Sequence, residues 1–317
     1  MDRRDFIKIS SVATLAACVR HLDTEPSPID EPSFQAMRRF ADTSFGRIAY
    51  VERGSGKAAL FIHGFPLNGF EWRGAIQRLS PYRRCIAPDL MGLGYSEIPE
   101  HQGLGPAHQA EMLAALLDRL HVHQVDLIGN DSGGAVAQLF VARYPNRVRT
   151  LLLTNCDVVI DSPPKALQPI LKLAHDGTFA DRALAPVLAD KALARSPKSG
   201  FRAAYDDLAY PTDEALDYYL TPLLSSPVRK TQVMGYALGL EQNPLTGIEP
   251  ALREFKAPVR IVWGTGDQIF SPESPDWLDK AFPNSRGIRR VEGAKVFFPE
   301  ERPDLFAEEA RTLWASV

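Results

Sequence analysis

The chain has 317 residues, 45% of them hydrophobic and 24% charged, a balance that excludes global disorder and fibrous repeats. Lys and Arg number 36 against 39 Asp and Glu, a net charge of −3 with no basic tract, so no nucleic-acid partner is expected. The three cysteines, Cys18, Cys85 and Cys156, are too few and too scattered for a zinc site or a disulfide framework; no metal or cofactor is expected.

The first eighteen residues carry a separate message. Arg3-Arg4-Asp5-Phe6-Ile7-Lys8 resembles a twin-arginine export signal, and the apolar stretch 9–17 behind it is too short to span a bilayer. That stretch ends in Leu15-Ala16-Ala17-Cys18, which resembles a lipobox, whose cysteine is lipidated and becomes the new N-terminus. Export is therefore expected, to a periplasmic or membrane-anchored form, with membrane contact only through Cys18. Residues 19–44 are expected to be a tether, because the Pro-, Asp- and Glu-rich start of this segment has no periodic apolar pattern.

Short apolar runs then recur at 48–51, 59–62, 85–88, 125–128, 151–154 and 260–263. Several are apolar throughout, as strands buried on both faces of a parallel sheet are. Helical patterns such as 110–120 and 135–144 alternate with them, which predicts an α/β fold with a mostly parallel sheet and crossover helices. The alternation breaks between residues 161 and 244, where the pattern is helical, broken by prolines and rich in tyrosine. We read this as a helical cap inserted between two parts of a core, 45–160 and 245–317, over the carboxyl edge of the sheet. Gly54-Ser55-Gly56-Lys57 lacks the spacing of a phosphate-binding loop and reads as a hairpin turn.

Gly129-Asn130-Asp131-Ser132-Gly133-Gly134 sits between the strand at 125–128 and the helix near Ala135. Small residues two before and two after a central one mark a nucleophile elbow, a strand-to-helix turn so sharp that larger flanking side chains would clash. Gly129 and Gly133 bracket Asp131. Centring the turn on Ser132 would put Asn130 at a position that needs a small residue, so Asp131 is the expected nucleophile and Ser132 the alternative.

With His63-Gly64-Phe65-Pro66 after the strand at 59–62, and Asp89-Leu90-Met91-Gly92-Leu93-Gly94-Tyr95-Ser96 further on, the chain resembles the α/β-hydrolase superfamily. The likeness is to its aspartate-nucleophile branch of epoxide hydrolases and dehalogenases. It implies an α/β-hydrolase fold, an oxyanion hole built from the backbone N–H groups of Phe65 and Ser132, and a structural His63. It also implies that Asp267, in Trp263-Gly264-Thr265-Gly266-Asp267, orients the catalytic histidine, with Asp157 as the alternative acid. Trp72, Tyr205 and Tyr219 are the expected substrate contacts, the tyrosines as protonators of an epoxide oxygen.

The family's last signature then fails. Its histidine segment corresponds to Gly293-Ala294-Lys295-Val296-Phe297, which places Val296 at the histidine position, and the last histidine in the chain is His175. A neutral Lys295 is the expected substitute base if burial depresses its pKa, with Glu300 behind it. Ser132 and Phe65 occupy the positions where specialised dehalogenases carry Trp or Arg and Asn, so neither halide nor fluoroacetate chemistry is singled out. Three readings stand. One is a hydrolase of a small organic substrate (epoxide, halide or ester) with an unconventional base. The others are a silent ligand-binding protein on the same fold and a non-hydrolytic lyase or isomerase. Lys295 aimed at Asp131 would favour the first; a pocket filled by Val296 and Phe297 would favour the second.

Overall fold

Eight strands form one sheet in the order β1-β2-β4-β3-β5-β6-β7-β8, in a computed structural model that describes residues 29–197 and 199–317. The export and lipidation motifs and the start of the tether lie outside the described residues. The first elements are a short helix α1 (Glu31–Met37), β1 (Arg38–Thr43), β2 (Gly46–Arg53) and β3 (Ala58–Ile62). There follow α2 (Arg73–Leu79), β4 (Arg84–Pro88), α3 (Pro106–Arg119), β5 (Val125–Asp131), α4 (Ser132–Arg143) and β6 (Val148–Cys156). Only β1–β2 and β2–β4 pair antiparallel; every other neighbouring pair is parallel.

The strands at the centre are the ones the sequence shows most plainly. Every residue of β3 and β5 is buried, because helices cover both faces there. Two expectations need correction. Residues 31–43 belong to α1 and β1 and not to a tether, and β1 hydrogen-bonds to β2 along six residue pairs. Residues 54–57 are not a hairpin turn either. They carry the chain from β2 to β3 across β4, the strand that lies between the two in the sheet.

After β6 come α5 (Gln168–His175), a π-helical turn at Ala180–Leu184, α6 (Ala185–Ala189), α7 (Gly200–Ala204), α8 (Asp213–Leu224) and α9 (Pro227–Leu238). Local chemistry starts the last two: Thr212 and Ser226 accept at their side chains from the N–H groups of Ala215 and Arg229, both at 3.2 Å. The cap is tied to the core through aromatic rings, with Tyr218 of α8 stacked on Phe70 at 4.5 Å. The core resumes with α10 (Glu249–Glu254), β7 (Val259–Gly264), α11 (Ser274–Ala281), β8 (Ser285–Val291), α12 (Phe298–Glu301) and α13 (Pro303–Trp314). Among the described residues no helix is long and apolar enough to cross a membrane.

Candidate active site

β5 ends at Asp131 and α4 begins at the next residue, so the chain must reverse within one peptide. Asp131 does this with φ 52° and ψ −132°, a backbone conformation that side-chain-bearing residues rarely adopt and that costs about 1–3 kcal/mol. The turn closes only because its flanks are small. A Cβ on Gly129 would stand 2.8 Å from the Gly133 carbonyl oxygen, and one on Gly133 would stand 2.6 Å from that of Ile62. Ser132, the first residue of α4, turns its Oγ to the Tyr236 hydroxyl at 3.1 Å. Asp131, not Ser132, therefore holds the strained apex.

The turn after β3 meets this apex. The Phe65 N–H donates to Asp131 Oδ2 at 2.6 Å, and the Ser132 N–H also bonds the carboxyl. Burial pushes the Asp131 pKa up to about 6, against the pull of those two donors and with a further push from the Asp267 charge. Gly64 is needed for the approach, since a Cβ there would lie 2.6 Å from both Cβ and Oδ2 of Asp131. His63 holds the turn and has no free nitrogen: Nδ1 meets the Gly64 carbonyl and Nε2 accepts from the Leu90 N–H, both at 2.9 Å. Burial lowers its pKa to about 4, so the ring is neutral.

Asp267 follows β7, beside the elbow. Its Oδ2 accepts from Asn155 Nδ2 at 2.6 Å, and its Oδ1 from the N–H groups of Ile269 at 2.7 Å and Phe270 at 3.1 Å. Burial raises its pKa. The loop where the family carries histidine is fastened to both neighbours. Gly266 N–H donates to the Ala294 carbonyl at 2.9 Å, and Asn130 Nδ2 donates to the Val296 carbonyl at 2.8 Å. Val296 itself is fully buried, and it is Phe297 that walls the cavity.

That cavity, of about 490 Å³, lies between the cap and the carboxyl ends of the strands. Phe65, Phe179, Val187, Leu240, Phe270 and Phe297 give it an apolar wall, into which Asp131, Ser132 and Asp157 bring polar groups. Asp157 follows directly on β6, is almost fully buried, and accepts from Ser162 Oγ at 2.8 Å.

Several expected residues stand elsewhere. Lys295 is half-buried and gives its ammonium to the Arg202 carbonyl at 3.0 Å, not to Asp131; burial and the Arg202 charge lower its pKa. Glu300 is locked between Arg73 and the Tyr205 hydroxyl, both at 2.5 Å. Trp72, Tyr205 and Tyr219, expected to meet substrate, are buried in packing and do not line the cavity. Trp72 packs against Phe61 and Phe306. Cys85 and Cys156 are both buried as free thiols.

Sequence reasoning missed Glu71, fully buried near Glu300, Asp131 and Arg73, whose Oε2 accepts from the Gly64 N–H at 3.0 Å and so props the turn that carries Phe65. Burial raises its pKa well above the usual carboxylate range. No spacing rule announces it; the one signal is an acid between two aromatics.

A family model described as alpha/beta hydrolase fold matches residues 58–301. The chain belongs to the α/β-hydrolase family. Within the α/β hydrolases it goes with the epoxide hydrolase and dehalogenase branch. It is 30% identical over 279 residues to a soluble epoxide hydrolase of Corynebacterium sp. (strain C12), covering 86% of this chain and 94% of that one. It is 42% identical over 289 residues to epoxide hydrolase 2 of Siraitia grosvenorii, covering 79% and 89%. Haloalkane dehalogenase 2 of Mycobacterium tuberculosis (strain ATCC 25618 / H37Rv) is 26% identical over 300 residues, covering 90% and 96%. Among solved structures, the epoxide hydrolase CorEH without ligand superposes with a TM-score of 0.71 at 23% identity, over 88% of this chain and 98% of that one, which speaks to the fold.

Proposed function

We propose that this α/β hydrolase opens small apolar electrophiles, epoxides or alkyl halides, by attack of the Asp131 carboxylate on carbon. The observation that carries the reading is the Asp131 carboxyl at the elbow apex, gripped by the Phe65 N–H at 2.6 Å and facing an apolar cavity. With a pKa near 6 the group is a carboxylate at neutral pH, yet poorly hydrated and so ready to attack. The carbon–halogen or carbon–oxygen bond breaks and an aspartyl ester forms. When water later attacks that ester, the same two backbone donors face the oxygen on which charge develops.

The second half-reaction lacks its usual base. Among the described residues no histidine lines the cavity, and Lys295 is turned to a cap carbonyl. Loss of the imidazole as general base removes about 10²–10⁴ in rate, so the alkyl ester formed from a halide accumulates. That same feature favours a second reading, capture of a ligand without efficient turnover. The export and lipobox-like motifs support a further proposal, that the protein works outside the cytoplasm.

The test is incubation with 1-bromohexane, followed by intact-mass spectrometry and bromide determination. A hexyl increment mapping to the Asp131 peptide, with at least stoichiometric bromide, is expected for the wild type and neither for Asp131→Asn. Alkylation that survives in Asp131→Asn would overturn the assignment of the nucleophile. No reaction in either protein would leave ligand binding as the reading.

A further inference from the structure

The cavity holds two carboxyls. β5 and β6 are parallel neighbours with Asp131 opposite Cys156, so Asp157 follows one residue beyond the apex on the next strand. Both residues line one cavity, and the Asp131 charge acts on Asp157. In the family resemblance an acid at Asp157 would orient a histidine. Among the described residues no histidine lines the cavity, and Asp157 lines it itself.

Resting on the nucleophile reading above, we propose that Asp157 is the proton carrier of this site, acid in epoxide opening and base in ester hydrolysis. Asp131 attacks an epoxide carbon, the carbon–oxygen bond breaks toward oxygen, and the alkoxide takes the Asp157 proton. A hydroxyalkyl ester and an Asp157 carboxylate result. Water then adds to the ester carbonyl carbon and gives a proton to Asp157. The tetrahedral adduct collapses, the departing alkoxide takes the adduct's hydroxyl proton, and a diol leaves. Asp131 is again a carboxylate and Asp157 again a carboxylic acid, so epoxide and water are the whole input.

Three observations support this assignment. The tyrosines expected as proton donors, Tyr205 and Tyr219, are fully buried and do not line the cavity, and the Tyr236 hydroxyl is paired with Ser132 Oγ. Two adjacent carboxyls in an apolar site cannot both ionise cheaply, so one keeps its proton. Burial, then the Asp131 charge, pushes Asp157 up to about 8, above the value near 6 at Asp131. The titratable groups facing the pair from neighbouring elements are Glu71, Asp161, Asp267, Cys156 and Tyr236. Arg182 lines the same cavity and is exposed.

Halide displacement needs no acid, which separates the roles. We would follow the first turnover of 1,2-epoxyhexane and of 1-bromohexane against pH by intact mass and product analysis. For the wild type, bromide displacement should rise through about pH 6 and stay level, whereas epoxide opening should rise through about 6 and fall through about 8. Asp157→Asn, with its thermal midpoint checked, should open the epoxide at least about 10²-fold more slowly. Epoxide opening at the wild-type rate in a folded Asp157→Asn overturns the role of Asp157. So does a wild-type epoxide profile with no alkaline fall beside intact bromide displacement. No reaction of the wild type with either compound overturns the nucleophile reading, and this inference with it.

Discussion

Replacing Val296 by His tests how much of the family's chemistry this scaffold retains. The loop position survives the change, because it is held by backbone: the Val296 carbonyl accepts Asn130 Nδ2 at 2.8 Å and the Ala294 carbonyl accepts the Gly266 N–H at 2.9 Å. Val296 is fully buried, so an imidazole in its place overfills a packed site, at a cost of about 1–3 kcal/mol. A ring nitrogen left without a partner would cost about as much again. Asp267, to which the family resemblance gives the orienting role, is the expected partner. Its oxygens accept three hydrogen bonds, and a carboxylate offers about four lone-pair sites. The expected net is a thermal midpoint lower by a few degrees together with ester clearance faster by about 10²–10⁴. The assay forms the hexyl ester with 1-bromohexane, removes excess reagent and follows the decay of the mass increment. Decay no faster in folded Val296→His than in the wild type would refute the argument that a missing imidazole limits the second step. A gain that survives in Val296→His/Asp267→Asn would refute the orienting role of Asp267.

Gly64→Ala places a methyl group 2.6 Å from Asp131 Oδ2 and 2.8 Å from the Phe297 ring, so it should cost about 1–3 kcal/mol in a denaturant titration and abolish alkylation of Asp131; unchanged alkylation would contradict the geometry of the elbow. Asp131 and Asp157 have folded-state pKa values of about 6 and 8, above the unfolded value near 4, so the folded state binds more protons. The stability they contribute is fully present below about pH 4 and is lost as pH rises through 6 and 8; urea titrations should show this decline, and Asp157→Asn should flatten it. Replacing Arg3 and Arg4 together by Lys should leave precursor in the cytoplasm on cell fractionation, and unchanged export would reject the twin-arginine reading.

Much of the core was legible because burial on both faces leaves a mark in sequence. The all-buried strands β3 and β5 and the interior of β6 read as apolar runs, and the glycines around Asp131 mark a turn with no room for side chains. The edge strands were not legible. β1 reads Arg-Arg-Phe-Ala-Asp-Thr and β8 reads Ser-Arg-Gly-Ile-Arg-Arg-Val, since an edge strand needs little apolar surface and its charges discourage pairing with other chains. Hence the composition of 19–44 conceals α1 and β1. The absence of any histidine after His175, with Val296 at its position, was plain from the sequence, but the contacts around that loop were not. Where Lys295 directs its ammonium depends on a cap carbonyl 93 residues away, and the buried grip of Glu71 on Gly64 depends on a turn. The meeting of Asp131 with Asp157 is a matter of register between two parallel strands, which no local pattern encodes. Sequence alone determined the order of the central strands and which residue stands at the apex of the elbow. Tertiary structure decided which second acid shares its cavity, because long-range packing sets which charges are stripped of water together.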